Sequence, residues 1–181
     1  MDKLFPHSEY PEDQEHSKTI LTIHVLRSGL AAGSILSVLS GTLTTLYKEP
    51  SALLSSRHAN RLLIHASRGS IAGFLISGVM LTTTMWGKED IEWQDRAWLL
   101  LGSEGQCEFD KWLAAGGVLG GLGAMALGKG RTAASAATAI NKKPAIVVKP
   151  LEAITGGISL GTASGAAGCI AWRIGVHGSF F

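Results

Sequence analysis

Charged positions in this chain are gathered into blocks, and between the blocks lie four windows without any Asp, Glu, Lys or Arg. They cover residues 28–47, 69–87, 112–128 and 153–172, which is 20, 19, 17 and 20 residues. Each is bracketed by charge: Arg27 and Lys48, Arg68 and Lys88, Lys111 and Lys129, Glu152 and Arg173. A helix needs roughly 20 apolar residues, with a range of about 17–25, to cross a hydrocarbon core about 30 Å thick. All four windows qualify, the third at the lower limit. Four buried core helices of a soluble protein would need amphipathic helices to cover them, and the chain has no room for those. The pattern therefore predicts an all-α fold, an integral membrane four-helix bundle. It divides into an acidic N-terminal segment over 1–27, a membrane domain over 28–173 and a short tail over 174–181. The main rival is three spans with a re-entrant third.

Composition sharpens this picture. Only 17% of the 181 residues are charged, against about a quarter in soluble domains, and mean hydropathy is +0.24 despite 23 glycines. A flexible Gly-rich linker would be polar. In membrane helices, glycine instead lets backbones approach, and van der Waals packing replaces the missing hydrophobic drive. Small residues recur at every fourth position: Gly29, Gly33, Ser37 and Gly41; Gly69, Gly73 and Ser77; Gly116, Gly120, Ala124 and Gly128; Gly157, Gly161 and Gly165. Each window thus carries one small-residue stripe, the expected surface for helix packing or for a partner subunit.

The connecting blocks differ in sign. Residues 48–68 carry a net +3 and 129–152 a net +4, whereas 88–111 carry −4 and 1–27 carry −2. With four spans the two basic loops share one side, and both termini share the other with the acidic loop. Basic excess marks the cytoplasmic or matrix side. Trp86, Trp93, Trp98 and Trp112 gather around the acidic loop as an interfacial belt, and residues 91–101 read as a short surface helix. Residues 142–150, with two prolines, read as an irregular connector. The N-terminus resembles neither a transit peptide nor a secretory signal, so organellar targeting would have to be internal.

Chemistry is sparse. His24, His58, His65 and His177 show no metal-ligand spacing, and no Ser-His-Asp order, phosphate loop or dinucleotide fingerprint is present. No acid or base interrupts a window, so no proton relay, ion path or carrier site is advertised. We expect no catalytic residue, no cofactor, no metal and no nucleic-acid partner. Arg57, Arg61 and Arg68, spaced by four and seven on one helical face beside His58 and His65, form a basic band at the start of the second span. That band suits positive-inside retention or the head group of an anionic phospholipid such as cardiolipin. Cys107 and Cys169 fall on one side of the membrane at the ends of consecutive helices, which makes a disulfide a possibility to test.

Four short Gly-rich spans, termini on the acidic side and basic loops opposite resemble the Tim17/Tim22/Tim23 superfamily of the mitochondrial inner membrane. Asp110 followed by Gly116, Gly117 and Gly121 resembles that family's acid and Gly-Gly-x-x-x-Gly run; Gln106 stands where the family has an arginine, and the acid-to-glycine spacing is one residue short. The resemblance implies a multi-pass inner-membrane protein with both termini in the intermembrane space. Since translocase subunits carry the fuller motif, it implies an accessory membrane subunit of respiratory complex I, among other membrane subunits and cardiolipin. A translocase subunit or another four-span scaffold is the alternative.

Overall fold

The structure, a computed structural model, describes residues 5–137 and 149–178. Among the described residues five α-helices follow one another: α1 (Ser17–Lys48), α2 (Ser56–Met85), α3 (Asp90–Gly102), α4 (Glu104–Ala137) and α5 (Pro150–His177). No strand occurs among the described residues.

Local chemistry sets the helix ends. Glu49 precedes Pro50, whose ring disfavours helical geometry in the residue before it, and α1 stops at Lys48. The Ser55 hydroxyl accepts from the His58 N–H at 3.2 Å, capping α2. Gly87, at φ +70°, turns the chain out of α2 in a conformation that favours glycine. Pro150 opens α5 where its missing N–H costs nothing, and Gly178 closes it at φ +67°.

The helices overrun the charge-free windows. α1 begins at Ser17 and α2 at Ser56, so much of the N-terminal segment and of the first basic loop is helical. Charge delimits the stretch that tolerates lipid; capping and proline decide where the helix ends. The helix expected over 91–101 is α3, which buries Ala97, Leu100 and Leu101. Most of the 142–150 connector lies outside the described residues.

α1 packs antiparallel against α2, and α4 antiparallel against α5. In the first pair, a Cβ added at Gly33 would fall on the Gly69 carbonyl oxygen, and one at Gly73 on that of Gly29. In the second, Gly116 faces the Gly161 carbonyl, Gly120 faces Gly157, and Gly165 faces the Trp112 carbonyl. Gly157 also meets Ala124, and in both pairs these glycines allow backbone to rest on backbone. Gly41 is different: its neighbours are side chains, Leu62 Cδ2 at 3.1 Å and His65 Cβ at 3.9 Å.

The pairs join through α2 and α5, which run parallel. Ser67 Oγ and Thr155 Oγ1 are 2.6 Å apart, and Ser159 Oγ donates to Ser70 Oγ at 2.7 Å. Gly156, outside the expected stripe, backs onto the Leu63 carbonyl. A small apolar contact of Ala31, Leu113 and Ala166 adds α1 to α4 and α5.

Polarity is distributed inside out. Ser34, Ser67, Ser70, Ser159 and Thr162 are buried, whereas Leu36, Leu43, Phe74, Leu75, Val79, Leu119 and Leu122 face outward. Three helices are long and apolar enough to cross a membrane: Ser17–Lys48, His58–Met85 and Pro150–Val176. α4 is continuous through the third predicted span, but its described residues do not reach the same hydropathy. Gly116, Gly117, Gly120, Gly121 and Gly123 stand there in place of apolar side chains, and Gly116 and Gly120 meet the backbone of α5.

Candidate functional site

Two polar clusters stand at opposite ends of the long helices. The first is a pocket of about 420 Å³ between the end of α1 and the start of α2. α1 contributes Ser40, Gly41, Thr44, Thr45 and Lys48, with Glu49 just beyond; α2 contributes His58, Arg61, Leu62 and His65. The geometry follows from the glycine pattern. Where Gly29 and Gly33 meet Gly73 and Gly69, the backbones touch; at Gly41, Leu62 and His65 hold the helices apart. The pocket opens in that widened crevice.

The hydroxyl hydrogens on its α1 wall are committed to the helix. Ser40 donates to the Ser37 carbonyl at 3.2 Å, Thr44 to Ser40 at 2.7 Å and Thr45 to Gly41 at 3.0 Å. Free donor capacity therefore rests with Lys48, His58, Arg61 and His65. Among the described residues neither Lys48 nor Arg61 is in an ion pair. His58 is only 7% exposed, and its Nδ1 is buried without a hydrogen-bond partner. Leaving such a nitrogen unsatisfied costs about 1–3 kcal/mol.

The basic band expected from sequence is thus divided. Arg61 lines the pocket, but Arg68 reaches Glu152 of α5 at 3.5 Å. The side chain of Arg57 lies outside the described residues. Sequence spacing placed three arginines on one face, yet Arg68 lies within reach of an acid on a neighbouring helix. Lys48 and the α1 hydroxyls were missed, although the short 49–55 connection necessarily brings Lys48 beside the start of α2.

The second cluster joins α1 and α4 near the acidic connection. Asp110, its side chain 5% exposed, accepts from His24 Nδ1 at 3.1 Å and contacts Arg27 Nη2 as an ion pair. Nearby, Arg173 Nε donates to Glu108 Oε2 at 3.2 Å, tying α5 to α4. The sequence held a signal for this: Arg27 and Asp110 flank their windows on the same predicted side. Cys107 and Cys169 are both buried and free, and the disulfide considered from topology is not formed. The Cys107 thiol is instead directed at the end of α3, with Sγ 3.7 Å from the Leu101 carbonyl oxygen.

The N-terminal residues lie over α3. Trp98 Nε1 donates to the Ser8 carbonyl at 3.0 Å, His7 stacks on Trp98 at 5.1 Å, and Gln94 donates to the Glu12 carbonyl at 2.8 Å. Gln14, 2% exposed, folds the segment on itself by donating to the Pro6 carbonyl at 3.2 Å. Trp98 of the expected interfacial belt is therefore an anchor for this segment.

No protein-family model, curated protein or solved structure matches the chain.

Proposed function

We propose that this chain is a four-span scaffold of the mitochondrial inner membrane. In this reading it is a non-catalytic accessory subunit of respiratory complex I that stabilises the membrane arm and contacts anionic phospholipid. The observation that carries the membrane reading is the inside-out polarity of the long helices. Large apolar side chains face outward, and the contacts between helices are made by glycine and small hydroxyl residues. In water that outer surface would drive aggregation; in lipid it is the solvated surface.

α4 supplies the fourth span, with small-residue stripes holding the bundle together. The antiparallel pairing of α4 with α5, and of α1 with α2, supports a topology in which the start of α1 and the end of α5 share one end with the acidic connection, and the end of α1 and the start of α5 share the other. By the positive-inside rule the basic end faces the matrix and both termini face the intermembrane space. The resemblance to the mitochondrial four-span superfamily supports the assignment to complex I. A scaffold role is supported by charge-free windows that offer no group for proton or ion transfer.

The test is the native mass of the protein's complex in mild detergent, with its co-migrating subunits identified. Co-migration with the respiratory chain, and reduced assembly of that complex on deletion, are expected. Co-migration with translocase subunits would replace the reading with the alternative, and substrate turnover by the purified chain would end it.

A further inference from the structure

We propose that the pocket between α1 and α2 binds the phosphate of an anionic glycerophospholipid, with Lys48, His58, Arg61 and His65 as donors. This rests on the membrane reading above but not on the identity of the host complex.

Four observations lead there. The volume of about 420 Å³ lies within the roughly 300–1,000 Å³ of ordinary ligand sites. The charge balance favours an anion: Lys48 and Arg61 oppose the single carboxylate Glu49, and two imidazoles add further N–H donors. Because Ser40, Thr44 and Thr45 spend their hydrogens on helix carbonyls, recognition falls to nitrogen donors, which suit the oxygens of a phosphate. Finally, the crevice lies where α1 and α2 separate, at Gly41 opposite Leu62 and His65, so there is room for a head group beside the helix ends.

The surroundings favour a lipid over a soluble phosphate. Leu39, Leu43, Leu46 and Tyr47 are exposed on the last turns of α1, and Leu54 is exposed in the connection to α2. A phosphate seated among the basic residues would leave its acyl chains to cover that apolar surface. A soluble phosphate would leave it bare. Arg68 takes no part, since its guanidinium is turned to Glu152.

The full-length protein purified in neutral detergent tests this by native mass spectrometry and by thermal shift. Cardiolipin, phosphatidylglycerol, phosphatidylcholine and soluble glycerol phosphate are added in separate arms. The anionic lipids should bind and raise the melting temperature, while phosphatidylcholine should not. Lys48→Gln with Arg61→Gln should weaken anionic-lipid binding by about tenfold or more, because each juxtamembrane cation contributes appreciably. Arg68→Gln, which leaves the pocket intact, should bind as the parent does. Equal binding by the parent and the double variant, or equal loss in Arg68→Gln, would overturn the site. Competition by glycerol phosphate would reassign it to a soluble ligand. Release of the protein from membranes by alkaline carbonate would instead defeat the membrane reading, so the two failures are distinguishable.

Discussion

His24 of α1 and Asp110 of α4 meet at 3.1 Å although 86 positions separate them in sequence. Arg27, one turn further along α1, contacts the same carboxylate oxygen. Breaking a buried pair on one side strands the other charge, typically at about 3–5 kcal/mol. Arg27→Ala should therefore lower the detergent melting temperature substantially, while Arg27→Met with Asp110→Leu should recover much of the loss. Circular dichroism during heating measures both. An Arg27→Ala variant as stable as the parent would show that the contact adds nothing.

Glycine positions that look alike in sequence should behave differently. Gly120 lies against the Gly157 carbonyl, whereas Gly123 has no atom within 4 Å of an added Cβ. Gly120→Ala forces the backbones of α4 and α5 apart and should destabilise by about 1–3 kcal/mol. Gly123→Ala should be neutral or slightly stabilising, since alanine favours helix over glycine by up to about 1 kcal/mol. Parallel thermal unfolding of the two variants decides the matter; equal losses would argue against close packing of α4 on α5.

The Ser70–Ser159 hydrogen bond offers a smaller, measurable effect. Interhelical bonds of this kind in membranes couple by about 0.6 kcal/mol, up to about 1.7. A double-mutant cycle with Ser70→Ala and Ser159→Ala should return a coupling in that range. Strict additivity would place the two hydroxyls in separate environments.

Acid should loosen the start of α3. The Lys88 side chain donates to Glu92 Oε1 at 2.7 Å, and the Glu89 N–H to Oε2 at 3.2 Å, holding the Glu92 carboxyl below its ordinary range. A depressed carboxylate stabilises the fold above its unfolded value, and that contribution is lost as pH falls through the folded value. Hydrogen exchange of the first α3 amides should accelerate in that acidic window. Glu92→Gln should show faster exchange already at neutral pH, and should lose that part of the pH dependence.

Much of this protein was legible in the order of its residues. Three of the four charge-free windows lie in helices long and apolar enough to cross a membrane, because length and hydropathy are local properties of composition. Small residues at every fourth position mark the face of each helix that allows close approach. What the pattern could not set is which helix meets which, since a stripe of glycines is complementary to any other. Tertiary packing paired Gly33 with Gly69 and Gly120 with Gly157, and spread the helices at Gly41, where Leu62 and His65 intrude. It also turned Arg68 toward Glu152 and left Arg61 facing Lys48 across a pocket. Spacing along one helix is blind to that choice, because a long cationic side chain goes to whichever acid or crevice the neighbouring helix presents.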